Sequence, residues 1–165
     1  MNGQMDLVVG LVALNGGEVV GKTRLQKLVY LLDQCRMESG FEFEYHNFGP
    51  FSAELARETD FASESGRLRL EEKRGFHEVP YTVFRTEEAA PTTLGKLPAD
   101  KAKEILAIMA RYTALDLEIA ATIDWFRDHR DRQTVNREVQ IRKPVKATLE
   151  HLEKGWRLLS ELGVA

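Results

Sequence analysis

The sequence predicts a mainly α-helical fold with a small β-hairpin, in which a winged-helix-like N-terminal part precedes a helical C-terminal extension. Three observations lead to this prediction. Apolar residues recur at helical spacing over most of the chain, and a single pair of segments alternates in polarity as strands do. The order is three helices, the hairpin and about three further helices. For 165 residues we expect a single domain over 1–165, with the winged-helix-like part at about 1–90 and the extension at about 98–165.

The first two helices are predicted on either side of a Gly-rich turn. The apolar segment "LVVGLVAL" (7–14) is typical of a short helix or a buried strand. The second helix is predicted by apolar residues at the spacing i, i+3, i+4, i+7, namely Leu25, Leu28, Val29 and Leu32. Between them "GGEVVGKT" (16–23) has the phosphate-loop spacing.

A phosphate-loop enzyme also needs a parallel sheet and a magnesium-binding acid at the end of another strand. Asp124, the best candidate for that acid, lies inside a helical pattern. We therefore interpret "GGEVVGKT" as a turn and predict no nucleotide site, with an NTPase as the third-ranked function.

A third helix is predicted at about 52–65, after the segment "YHNFGPFS" (45–52). Pro50 ends the preceding secondary-structure element, Ser52 can cap the third helix, and Glu54 is favourable in its first turn. The hairpin follows, because "GRLRLEE" (66–72) and "YTVFRTE" (81–87) alternate in polarity on either side of a polar, Gly-containing connection.

The C-terminal extension begins after a loop with two prolines (89–100). Thr113 and Asp116 have the spacing of a cap that opens a helix. A last helix is predicted from Pro144 onward by an apolar stripe of Val145, Leu149, Leu152, Trp156, Leu159 and Leu162. The stripe fits either the core or the interface of a homodimer, and the sequence leaves this open.

Composition points to a cytoplasmic protein without a membrane span. The net charge is −3, no apolar run has membrane-spanning length, and Cys35 has no second cysteine with which to pair. The N-terminal segment lacks the basic residues of a secretory signal.

The sequence predicts no catalytic residue, no metal site and no cofactor, and therefore a protein that is not an enzyme. His46, His77, His129 and His151 are scattered, without metal-ligand spacing. Asp124 and Asp128 with His129 are more typical of a charged helix end than of a divalent-ion site. Cys35 follows an apolar helix face and is predicted to be a structural thiol.

Nucleic-acid binding is disfavoured by the charge pattern. The third helix, the usual DNA reader of a winged helix, carries one arginine and four acids. The basic region lies at 127–146, with seven basic and three acidic residues. It is interpreted either as solvated helix ends or as a docking patch for an acidic protein or an RNA backbone. On the second interpretation, reversing Arg137, Arg142 and Lys143 to Glu abolishes partner binding without lowering the melting temperature.

The "FGPF" turn is the other candidate partner-binding feature, formed by Phe48, Gly49, Pro50 and Phe51. Its two aromatic residues either anchor the loop in the core beside Tyr30 and Tyr45 or help to shape a face that binds a partner.

The chain resembles the YwgA-like family of small bacterial proteins in "GKTRLQKLVYLLD" (21–33) and "YHNFGPFSAEL" (45–55). The segments "LDLEIAATIDWF" (115–126) and "IRKPVKATLEHLEKGWRLLSELG" (141–163) extend the resemblance over most of the chain. The family has no established activity, and its usual Lys-Pro-His run is replaced here by "RKPVK". The first two motifs are also similar to those of Panacea-type proteins, which include antitoxins and a proteolytic adaptor.

The resemblance implies a protein partner, with a toxin or a protease system as the most concrete form. The predicted function is a non-catalytic protein-interaction module, antitoxin-like or adaptor-like. The alternative is a winged-helix nucleic-acid-binding regulator.

Overall fold

The computed structural model describes residues 3–165, and the predicted mainly α-helical architecture is confirmed. The helices are α1 (Gly3–Leu14), α2 (Lys22–Gln34), α3 (Ala53–Glu64), α4 (Ala99–Met109), α5 (Ala114–Arg127), α6 (Arg132–Arg142) and α7 (Leu149–Glu161). The strands are β1 (Glu18–Val20), β2 (Glu44–His46), β3 (Gly49–Phe51), β4 (Arg69–Arg74), β5 (Pro80–Arg85), β6 (Thr93–Leu94) and β7 (Leu97–Pro98).

In the N-terminal part the predicted hairpin is formed by β4 and β5 and follows α3. The sheet contains one strand more than predicted, because β1 pairs antiparallel with β5 to give the order β1-β5-β4. Val19 of β1 lies opposite Phe84, and both side chains are buried. Three residues between glycines are too short a segment for their alternation to have indicated a strand.

The segment "GGEVVGKT" connects α1 to α2, as we predicted when we interpreted it as a turn between two helices. Gly16 and Gly17 have left-handed backbone angles after α1, and α2 begins at Lys22. The strand formed by its middle residues follows a helix and pairs antiparallel. A phosphate loop instead joins a strand of a parallel sheet to a helix.

The core extends from α1 through α2 and α5 to α7. Eight consecutive residues of α5, Asp116–Ile123, are buried, as are almost all of α1 beyond its first turn. Gly155 lets α7 approach α5 closely, since a Cβ there would lie 2.8 Å from Ile123 Cδ1. The predicted caps are present: Ser52 Oγ accepts from Leu55 N, and Thr113 and Asp116 form a capping box.

The last helix differs from its prediction. It begins at Leu149, with Thr148 as its N-cap, and a separate helix α6 occupies much of the region interpreted as solvated loop and helix ends. Val145 is 86% exposed and Leu149 73% exposed, so neither belongs to the buried stripe. The side-chain oxygen of Thr148 accepts from His151 N, and this cap favours a start later than Pro144.

Within residues 3–165, no helix combines the length and the apolar character needed to cross a membrane.

Candidate functional site: a turn held by buried lysines

The Gly–Pro turn (residues 46–51) connects β2 to β3 and packs against α2 and α5. His46 pairs with Gly49, and Tyr45 with Pro50. Gly49 is buried with φ of +90°, and a Cβ at this position would lie 3.0 Å from Thr122 Oγ1. Glycine is therefore required here both for the backbone angle and for the close contact with α5.

Two lysines hold the turn through its backbone carbonyl groups. Lys27 Nζ donates to Pro50 O at 2.7 Å, and Lys143 Nζ donates to Asn47 O at 2.9 Å. Both lysines are buried. The turn is thus fixed from α2 on one side and from the end of α6 on the other.

Gln26 fixes the segment immediately after the turn. Its side-chain amide donates to Ser52 O and accepts from Ser52 N, each at 2.9 Å. The amide thereby pairs with the backbone of Ser52 as a neighbouring strand would. Since Ser52 also caps α3, this contact joins the turn to the start of that helix.

A single buried carboxylate, Glu118, faces the lysine cluster formed by Lys27, Lys143 and Lys146. Glu118 Oε2 lies 2.7 Å from Lys143 Nζ and 3.1 Å from Lys146 Nζ. Burial lowers the pKa of Lys27 to about 8, and the positive charges of Lys143 and Lys146 act in the same direction, whereas Glu118 opposes them. The cluster carries more positive than negative charge.

An aromatic and cationic layer continues from the turn to the ends of α5 and α6. The rings of Tyr45 and Phe126 meet edge to face at 5.1 Å. The Arg142 guanidinium lies 5.8 Å from the Tyr45 ring and 5.2 Å from the Phe126 ring. Burial is the main cause of the raised pKa of Tyr45.

The two phenylalanines of the turn do not anchor it in the core. Phe48 is 54% exposed, with Lys146 Nζ 4.5 Å from its ring centre. Phe51 is half-buried and stacks on His46 at 4.8 Å. The buried residues of the turn are instead Gly49 and Pro50, because the anchoring contacts are made by the backbone.

The structure brings together two candidate regions that are far apart in the sequence. Five of the predicted partner-binding residues lie in the turn or contact it, namely Phe48, Gly49, Pro50, Phe51 and Lys143. Arg142 lies against Tyr45, directly before the turn. Arg137 is exposed on α6, away from the turn residues. Lys143 is buried and paired, so it anchors the turn and is not a surface contact.

The burial of Lys143 changes the expectation for charge reversal. Lys143→Glu would place a second carboxylate against Glu118 and would lower stability, so the triple reversal cannot separate binding from folding.

The sequence did not single out Lys27 or Glu118 as site residues, and it placed Lys146 only within the basic region at 127–146. The signal for Glu118 was its place in "LEIAATI", where an acid interrupts an apolar run of a helix. Lys27 lies between Gln26 and Leu28, in the middle of α2, where the residues on all sides of the helix are buried. A charged residue at such a position needs a partner, but the sequence does not indicate which one.

The basic residues of the β4–β5 hairpin and its flanks are largely neutralised within the protein. Arg67 pairs with Asp6 and Glu88, Arg69 with Glu87, Arg74 with Glu78, and Arg85 with Glu18 and Glu71. Arginines already paired with carboxylates offer little attraction to phosphate groups.

The described residues offer no cluster of three metal-ligating side chains. Asp124 accepts from the Tyr30 hydroxyl at 2.7 Å and from Arg127 at 2.8 Å, while Asp128 lies at the C-cap of α5. His151 Nδ1 lies 2.9 Å from Asp116 Oδ1. Cys35 is half-buried, and burial raises the pKa of its thiol to about 11.

Comparison with known proteins identifies similarity at the level of sequence. No family model matches the chain. The chain is similar to the "Uncharacterized protein YwgA" of Bacillus subtilis (strain 168), with 24% identity over 150 residues that cover 90% of each protein. This similarity supports the resemblance to YwgA-like proteins. The name of that protein assigns no activity to it, and the resemblance to Panacea-type proteins stays a prediction.

Proposed function

We propose that the protein is a non-catalytic protein-interaction module whose contact surface is the Gly–Pro turn together with the α6–α7 connection. The observation that carries this proposal is the position of Phe48. Its side chain is more than half exposed on a turn whose backbone is fixed by two buried lysines.

Rigid presentation of an aromatic residue favours binding. Aromatic and arginine side chains dominate the binding energy of many interfaces, and a contact that is ordered before binding loses less conformational entropy. Phe48 has no packing function in the core that would explain its position. Arg142, which lies against the neighbouring Tyr45 ring, provides a second contact of the same kind.

The surface next to Phe48 is apolar and positively charged. Lys146 lies over the Phe48 ring, and its chain neighbour Val145 is exposed. Leu149 continues the exposed apolar residues into the start of α7. Since the lysine cluster contains only one carboxylate, charge complementarity favours an acidic partner protein.

An antitoxin-like or adaptor-like role in the cytoplasm is the specific form that we propose, and it rests on the resemblance to Panacea-type proteins. The nucleic-acid-binding alternative receives less support, because the hairpin arginines are paired with carboxylates.

Native capture of the tagged protein from its own cells tests this function. We expect a stoichiometric protein partner that survives nuclease treatment and is lost in Phe48→Ser. Phe76→Ser is the matched control, because Phe76 is also an exposed phenylalanine but lies at the tip of the β4–β5 hairpin. Arg142→Glu should weaken capture, and Arg137→Glu on the same helix should not.

Capture of nucleic acid alone, or partners that disappear on nuclease treatment, would contradict the proposal and favour the regulator. Equal loss of a partner in Phe48→Ser and Phe76→Ser would contradict the assigned surface.

A further inference from the structure

A cavity of about 460 Å³ lies beside the Gly–Pro turn, at the start of α2 and against α3. Its apolar lining is formed by Leu25, Phe48, Phe51, Ala56 and Phe84. A cavity of this size is large enough for a bulky apolar side chain or a small aromatic ligand. Phe48 belongs both to the lining and to the proposed contact surface, so the two are continuous.

The charges around the cavity are unbalanced. Lys22 and Lys27 line it, with Asp60 as the acid in the lining. Behind Lys27 lie Lys143 and Lys146 with Glu118. Four lysines thus face two acids.

The cationic character of this region persists at neutral pH. The pKa of Lys27 is about 8, so its ammonium form predominates at pH 7. A buried positive charge without a full set of counter-charges is costly, and an incoming anion lowers that cost. The N-terminus of α2 also favours an anion. Gly21 at the N-cap has no side chain that could accept hydrogen bonds from the N–H groups of the first turn.

We propose that this cavity binds an apolar side chain of an acidic segment of the partner protein, with a neighbouring carboxylate placed against Lys22 and Lys146. This inference rests on the proposed function and specifies the chemistry of the partner. Lys22 is exposed at the cavity. Lys146 is partly exposed over Phe48, which lines the cavity, and its ammonium group also pairs with Glu118.

A matched pair of small probes tests the inference on the full chain. We would titrate ¹⁵N-labelled protein with 2-naphthylacetate and with its neutral counterpart 2-naphthylacetamide. The carboxylate probe should shift the backbone amide signals of Thr23, Gln26 and Phe51 and should bind about two- to fivefold more tightly than the amide, as expected for one charge interaction at a partly exposed site.

The lysines are tested by a double variant. In Lys22→Gln/Lys146→Gln the preference for the carboxylate probe should disappear, while Lys96→Gln/Lys103→Gln, at two exposed lysines elsewhere, should retain it. Equal binding of both probes, or signal changes away from the cavity, would overturn the inference. If both probes bind equally but native capture still gives a protein partner that depends on Phe48, only this inference is overturned. The proposed function is then unaffected.

Discussion

Lys143 Nζ lies 2.7 Å from Glu118 Oε2, and both side chains are almost completely buried. The same ammonium group donates to Asn47 O, so one lysine joins α5, the end of α6 and the Gly–Pro turn. Helix α6 ends at Arg142, directly before Lys143, because Pro144 disfavours a helical backbone at the residue that precedes it.

Glu118→Gln should destabilise the protein strongly. The variant leaves Lys143 and Lys146 without their carboxylate while the cluster stays buried, which should lower the free energy of unfolding by about 3–5 kcal/mol. Urea denaturation measures this change. Glu150→Gln is the control, because Glu150 forms an exposed pair with Lys154 and should cost no more than about 0.5 kcal/mol. Similar small effects of both variants would show that the buried cluster does not stabilise the fold.

Gly49→Ala should be more costly than alanine at another left-handed glycine. At Gly49 the new Cβ would lie 3.0 Å from Thr122 Oγ1, whereas at Gly16, with φ of +78°, nothing lies within 4 Å. Both variants carry backbone strain of about 1–2 kcal/mol, and Gly49→Ala should lose at least about 1 kcal/mol more through the close contact. The comparison of the two denaturation curves isolates that contact. Equal costs would mean that the turn can move away from α5.

Lys27 should make stability depend on pH in the alkaline range. Its pKa is about 8 in the folded protein and 10.5 ordinarily. Between these values the unfolded chain binds more protons than the folded one, so the contribution of Lys27 to the free energy of unfolding rises with pH.

The raised pKa of Cys35 has the opposite effect, because it makes the free energy of unfolding fall as the pH rises. Comparing the wild type with Lys27→Met removes this effect, since both proteins contain Cys35. The stability of the wild type relative to Lys27→Met should increase by roughly 1–3 kcal/mol between pH 7 and pH 10. Urea denaturation at several pH values measures it, and a constant difference would contradict the burial of a charged Lys27.

Cys35 should react slowly with alkylating reagents. Burial raises the pKa of its thiol to about 11, so the thiolate fraction at pH 7.5 is small and access to it is restricted. We expect iodoacetamide to modify the folded protein at least about tenfold more slowly than the urea-unfolded protein. Comparable rates would indicate an accessible thiol.

Most of the helices and the main hairpin could be predicted from the sequence because their signals are local, whereas α6 lies in the region that was interpreted as solvated loop and helix ends. Ser52 and the pair Thr113 and Asp116 act within one helical turn, and the β4–β5 hairpin needs only alternation and a polar connection. The start of α7 could not be placed, since Val145 and Leu149 continue the apolar spacing although both are exposed.

The candidate site was predicted only in part, for a different reason. Its residues come from α2, the turn, α5 and the α6–α7 connection, and the sequence contains no rule that pairs Lys27 with Pro50 or Lys143 with Glu118. The motif at the Gly–Pro turn was visible, but its anchors are long-range contacts. The sequence left the exposure of Phe48 open, because an aromatic residue beside a Gly–Pro pair is equally compatible with the core and with the surface.

Capture and stability measured on one preparation of Phe48→Ser provide the most direct test of the proposed interaction surface. We expect Phe48→Ser to lose the nuclease-resistant partner. Its free energy of unfolding should stay within about 0.5 kcal/mol of the wild type, as is usual for a surface substitution. Undiminished capture by Phe48→Ser, at unchanged stability, would contradict the proposed interaction surface.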